Sequence, residues 1–529
     1  MTCKFMRYGP KALLLSLLAI AVSPALSAQL IDYTQAPNTV AEGLAKSLAK
    51  QSGTGRGDLY TWGSSMYIIR RDPFRSIRRG RQLFQRKFTR AEGLGPRTDD
   101  GIGDIDTNLA IGAGLADSCA ACHGRPRGAA GFGGDVATRP DSRDAPHLFG
   151  LGLKEMLADE ITTELRKLRT NALAEAKSAG AVTKALVSKG IDFGSITVRS
   201  DGYVDTSQVK GVDADLRVRP FFAHGGTISI REFIVGAFND EMGMQAVDLE
   251  LEAAARGERY VTPSGMVLDG SLDTLARPKA VSPFHDMDRD GVVNEIPTSI
   301  VDHMEFYLLN YFKPGLYKQT AVTDRGQALL AEAGCTGCHI QNLTIERDRR
   351  VADVETVYDP ENGIFNNLFS TATLRTAVVS TPGNYPPMQL PRGASFVVEN
   401  IFTDLKRHDL GPNFHERNYN GTMQKEFLTT PLWGVGSTAP YGHDGRSINL
   451  PEVILRHGGE AQSSKEAFTA LPDDSQQAIL AFLNTLIVFP PDDTASNLNP
   501  GNREAANFPQ AGHGSIKLGA LFVNSDDPE

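Results

Sequence analysis

Spare cysteine is the first thing this chain lacks. Its 529 residues hold five cysteines, and Cys3 falls in the first 28 residues. The other four sit in two short motifs, so no disulfide framework is left to staple loops together. Long apolar runs are missing too: beyond residue 28 no segment reaches 18 uninterrupted apolar residues, so no stable membrane span is expected. Positive charge is in deficit, with 54 Lys and Arg against 63 Asp and Glu and a net charge of −9. Such a surface argues against nucleic acid, whose phosphates need basic patches. It suits electrostatic docking of a basic partner. At 41% hydrophobic and 22% charged residues, the composition excludes large-scale disorder.

What is present begins with an export signal. Lys4, Arg7 and Lys11 precede the apolar run 12–22, and Ala25-Leu26-Ser27-Ala28 offers small residues for cleavage. Residues 1–28 therefore read as a signal peptide, and the mature protein as periplasmic. Its removal moves the net charge from −9 to −12.

Helical periodicity and composition predict helices near 74–88, 154–189, 230–238, 300–312, 324–333 and 475–488. In the last, Ile479, Phe482, Leu483 and Leu486 fall on one face. Residues 93–114 and 352–398 read as loop. The tail beyond 490 is polar. Few alternating strands are visible, so the fold class expected is mainly α.

The two motifs are Cys119-Ala-Ala-Cys122-His123 and Cys335-Thr-Gly-Cys338-His339. Two thiols at this spacing can bond the two vinyl-derived positions of one haem, and the adjacent histidine meets the iron. A zinc ribbon also pairs two C-x-x-C units, but about 15–20 residues apart; here more than 200 residues intervene. A thioredoxin-type dithiol has no need of the histidine twice. Two covalent c-type haems are the expected cofactors. The chain then divides into a haem domain at 29–257, a connecting segment at 258–320, a second haem domain at 321–490 and a tail at 491–529. The sixth iron ligand decides the chemistry, and residue physics leaves several histidines and Met388 open for it.

Larger blocks carry a resemblance. They are RGRQLFQRKFT before the first motif, RDAPHLFGLGLKE after it, AFNDEMGMQ, and TTPLWGVGSTAPYGHDGRSINLPEVILRHGGEA. With the two motifs, they resemble the bacterial di-haem cytochrome c peroxidase superfamily over roughly residues 75–490. The similarity is greatest to its di-haem oxidoreductase, or thiol oxidoreductase, branch. Di-haem rubber oxygenases and the methylamine-dehydrogenase maturation enzyme are relatives. The resemblance implies two cytochrome c-like domains packed together with long loops, the His123 haem meeting substrate and the His339 haem carrying electrons.

It also implies residue roles. Glu241, in Glu241-Met-Gly-Met244, matches a distal glutamate that moves protons on peroxide. His457, 14 residues after His443, matches the distal ligand of the electron-transfer haem, where the peroxidases have Met. Asp144, Thr438 and Pro440 match a calcium site between domains. Separately, Asp286, Asp288, Asp290 and Asn294 space oxygen donors as in the start of a calcium loop, although Thr298 stands where a closing acid is expected.

Two departures stand out. No histidine lies between His123 and Arg143, leaving His147 as the one nearby residue able to close the first haem. An inter-haem tryptophan is replaced by Phe221-Phe222-Ala-His224, where His224 is a candidate for the distal pocket. The reaction expected is peroxide reduction, with electrons from a small redox protein. The alternatives are oxygen-dependent cleavage of an apolar substrate and simple electron carriage. A free catalytic thiol finds no support.

Overall fold

The computed structural model describes residues 47–95, 116–124, 135–136, 143–287, 290–311, 315–316, 319–358, 368–418 and 421–487. The expected signal peptide, most of the 93–114 loop, Asp288 and the tail lie outside them.

Helices α1 (Leu48–Ser52), α2 (Ser65–Arg71), α3 (Pro73–Gln85) and α4 (Cys119–His123) precede the long α5 (Leu151–Ala179). Next come α6 (Ile230–Gly236), α7 (Leu249–Ala255) and α8 (Thr298–Leu309). The C-terminal part holds α9 (Ala321–Glu332), α10 (Leu450–Arg456), α11 (Gln462–Ala470) and α12 (Asp473–Leu483). Local chemistry sets the starts. Asp72 accepts from the Arg75 amide with Pro73 at the first helical position of α3. Thr320 and Thr323 cap one another's amides at α9.

Three apolar clusters hold these elements. In the first, α3 (Ile77, Leu83, Phe84), α6 (Ile230, Ile234) and α8 (Ile300, Met304, Tyr307) pack together, and Cys119 and Ala120 lean on them. The third joins α9, α10, α11 and α12 through Leu330, Leu450, Phe468, Ile479 and Phe482, with Cys335 against it. The second bridges the two ends of the chain. Leu153, Leu157, Ile161 and Leu165 of α5 meet Leu343, Ile345, Ile401, Leu405 and Trp433. Both end clusters depend on close helix approach. A Cβ on Gly80 would lie 2.3 Å from the His303 carbonyl oxygen of α8, and one on Gly326 1.9 Å from that of Ala478 in α12.

The first region also buries charge. Arg231, wholly inaccessible, is paired with the equally buried Asp248, Asp302 and Glu305. Removing one member of such a set leaves uncompensated charge, typically about 3–5 kcal/mol.

Two expectations are corrected. The helix expected to run to 189 ends at Ala179, because Gly180 (φ +84°) turns the chain and Ala181–Ser188 enters a sheet. With Ile191–Arg199 and Val204–Val209 it forms a three-stranded antiparallel sheet against α5. The 352–398 stretch, expected to be loop, holds strands Ala352–Tyr358, Leu368–Leu374, Thr376–Val379, Met388–Pro391 and Phe396–Val398. The described residues form nine small sheets besides the helices, so the fold is α-rich with β-hairpins rather than mainly α.

Candidate functional site

The four motif cysteines form no disulfide. Burial raises Cys119 to about 12 and Cys335 to about 11, so each stays protonated and carries no charge. The first motif forms α4, capped by Ser118 on the Ala121 amide at 3.2 Å. The second turns in a short 3₁₀ segment, Cys335–Gly337, behind α9.

Both motif histidines are held alike. His123 Nδ1 lies 2.7 Å from the Pro146 carbonyl oxygen, and His339 Nδ1 lies 3.1 Å from that of Phe402. A carbonyl can only accept, so each Nδ1 carries the proton and each Nε2 keeps its lone pair. That is how a metal-ligating imidazole is oriented by its surroundings. Phe402 reaches this position with φ +53°, a left-handed conformation uncommon for an aromatic residue. Paired thiols beside imidazoles oriented through Nδ1 fit two c-type haems.

The groups around the two motifs differ. His457 bonds through Nδ1 to the Val453 carbonyl at 2.6 Å, which leaves its Nε2 available. Phe414 packs edge-on against its ring at 5.3 Å. His457 lies within electrostatic reach of His339, whose pKa falls to about 4, first through burial and then in part through His457. Near the first motif the charged neighbour is Glu241. Burial, and then the Glu241 carboxylate, raise the Cys122 thiol above its ordinary value. Glu241 rides on a π-helical turn, Ala237–Met242, that continues α6. Such turns re-aim side chains and recur at functional sites.

His147 lies within electrostatic reach of His123. It follows the very carbonyl that holds His123, and its Nε2 lies 3.0 Å from the Trp433 carbonyl. That contact occupies Nε2, and Nδ1 is enclosed. Burial lowers His147 to about 4, so it is neutral. His224 stacks on Phe222, ring centroids 6.2 Å apart, and Phe222 packs on Phe233 of α6 at 5.2 Å. Met388 lies in a strand paired with Val379.

The calcium candidates fare differently. Asp286 accepts from the Asp290 and Gly291 amides at 3.0 and 2.8 Å, and Asp290 from Val292 at 2.6 Å. Asn294 takes φ +52°. Glu295 turns inward to accept the Gln245 amide at 2.6 Å, and Thr298 donates to the Val247 carbonyl. Of the second set, Thr438 donates to the Gly434 carbonyl at 3.1 Å, and Pro440 follows a cis bond from Ala439. The Asp144 side chain lies outside the described residues.

Sequence reasoning missed His408. Its Nε2 and Nδ1 each lie 2.8 Å from a carboxylate, of Asp404 and Glu460. Burial opposes its charge, but hydrogen bonds to Asp404, Cys338 and Glu460 outweigh it and push the pKa up to about 11. Ligand atoms of Cys338, Asp404 and His408 lie within 4.8 Å of one another. The i, i+4 spacing of Asp404 and His408 was the available signal.

Residues 338–486 match the model of the family described as "Di-haem oxidoreductase, putative peroxidase". The match includes His339 and His457. Among solved structures, one described as a MauG-like protein associated with microbial copper homeostasis is similar at 14% identity. It covers 64% of this chain and 88% of that one, with a TM-score of 0.24. That score carries no argument about fold. No curated protein matches the chain. The family match supports an oxidoreductase of the di-haem, peroxidase-like kind.

Proposed function

We propose that this chain is a periplasmic di-haem c-type oxidoreductase that reduces hydrogen peroxide at the His123 haem. Electrons arrive from a small redox protein through the haem ligated by His339 and His457. One contrast supports the reading: His457, held through Nδ1 by the Val453 carbonyl, acts on His339, while the Glu241 carboxylate acts on Cys122.

Haems held by Cys119, Cys122 and His123 and by Cys335, Cys338 and His339 would supply the redox chemistry. The residues supply the rest. Pro146 holds the His123 tautomer and strengthens its Nε2 as a donor. Glu241 takes a proton from one peroxide oxygen and returns it to the other, which leaves as water. Two electrons and two protons convert one peroxide to two waters. His457, held through Nδ1 by the Val453 carbonyl, would join His339 in holding the second haem and so keep it to electron transfer. A calcium ion on Asp286, Asp288, Asp290 and Asn294 would brace the Glu241 segment through Gln245, whose Oε1 accepts the Met287 amide.

Glu241→Ala tests this. Peroxide turnover should fall by about 100-fold or more, the usual weight of a general acid–base group, with two haems still attached. Unchanged turnover would overturn the role of Glu241.

A second reading is oxygen-dependent cleavage of an apolar substrate, favoured by the aromatic group of Phe221, Phe222 and Phe233, with Phe222 44% exposed. Oxygenation should largely survive Glu241→Ala, which separates the two reactions.

A further inference from the structure

The two motif histidines are joined by an unbroken line of contacts. His123 Nδ1 donates to the Pro146 carbonyl at 2.7 Å. The next residue, His147, donates from Nε2 to the Trp433 carbonyl at 3.0 Å. One residue back, the Leu432 amide donates to the Ile401 carbonyl at 3.1 Å. One residue on, the Phe402 carbonyl accepts from His339 Nδ1 at 3.1 Å. Four hydrogen bonds and the covalent chain between them span the molecule from one ligand ring to the other.

The line is rigidly seated. Trp433 is 4% exposed and Phe402 1%. The Trp433 ring lies against Gly150, where a Cβ would come within 2.6 Å of it, and Gly150 takes φ +75° to open α5. Only glycine satisfies both demands. Phe149 packs on His147 with ring centroids 5.8 Å apart. Between the two ligand rings, every group on the line is main chain except the His147 imidazole. Its second nitrogen, Nδ1, is enclosed without a hydrogen-bond partner, so nothing described holds the ring except the Trp433 contact and packing.

We propose that His147 is the bridge through which electrons pass between the two haems, from proximal ligand to proximal ligand by way of the Trp433 main chain. The inference rests on the di-haem reading above, not on the identity of the oxidant. One electron leaves the iron at His339, which is oxidised by one unit. It arrives at the iron at His123, which is reduced by one unit. No bond breaks and no proton transfers. The electron is first supplied by an external one-electron reductant, a redox protein in the cell or a photoreductant in the test.

The test is inter-haem transfer in the holoprotein after flash photoreduction, read as absorbance at the two haems. His147→Leu removes the bridging N–H, and His147→Gln keeps a donor. Transfer should slow by about tenfold or more in the Leu variant, the usual weight of an outer-shell partner, and recover substantially in the Gln variant. EPR and midpoint potentials of both haems should stay near wild type, which a merely structural role would not guarantee. If the Leu variant does not accumulate, the adaptable side chain of His147→Met carries the same expectation. An unchanged rate with both haems present would overturn the bridge alone. A chain without two haems by pyridine haemochrome assay would overturn the di-haem reading and the bridge with it.

Discussion

The two haem motifs share one half of their surroundings and differ in the other. In both, a main-chain carbonyl orients the motif histidine through Nδ1, from Pro146 in one case and Phe402 in the other. Around the first motif the new element is a π-helical turn bearing a carboxylate; around the second it is α10, ending at an imidazole. The lesson is that the hold on the motif histidine is built alike at both motifs, while the groups that approach from elsewhere differ. The first region also packs its helices around the buried ion pairs of Arg231 and a buried, neutral His303.

The sharpest way to break the contrast is to remove the second imidazole. His457→Ala should make the second iron resemble the first. EPR should gain a second high-spin ferric signal, and cyanide should titrate two sites per chain instead of one. Added imidazole should restore the original spectrum. An unaltered spectrum would show that another group ligates that iron.

A smaller effect tests a buried neutral imidazole. His303 lies fully buried, with Nδ1 2.9 Å from the Ser76 hydroxyl. Burial first, then Arg79 and Arg75, hold its pKa well below the ordinary value. The unfolded chain therefore binds a proton that the folded chain resists. The stability this provides is complete above the ordinary value of 6.5 and declines as pH falls toward the depressed folded value. One such group adds a slope of at most about 1.4 kcal/mol per pH unit. Urea unfolding between pH 7 and pH 5 should show a shallower decline in His303→Gln than in wild type. The same slope in both would assign the acid sensitivity elsewhere.

The smallest effect concerns the turn between the thiols. The first motif has Ala121 where the second has Gly337, and a Cβ at Gly337 would meet nothing within 4 Å. Gly337→Ala should attach haem normally and change stability by less than about 0.5 kcal/mol. A drop in haem content would show that the glycine serves the attachment step.

Much of this was legible because it was local. The motifs, α3, α9 and α12 announced themselves by spacing and by 3.6-residue periodicity. His457 came from resemblance and counting, and lies where electrostatics reach His339. What sequence hid was non-local. The strand Ala181–Ser188 follows α5 without a break in apolar character, and its turn back at Lys189-Gly190 uses φ +50° and +79°. A lysine is an uncommon choice there, and its ammonium is tied to Glu160 and the Thr344 carbonyl, both at 2.7 Å. Those partners lie far along the chain, so no window of sequence contains the reason. The partner of His147 was hidden for the same cause: the Trp433 carbonyl that claims it lies 286 residues away.

Gln245 has a consequence of its own. Its side chain donates to the Ser282 and His285 carbonyls and accepts from the Met287 amide, and it stands four residues beyond Glu241. One primary amide thus ties three loop residues, Ser282, His285 and Met287, to the segment that carries Glu241.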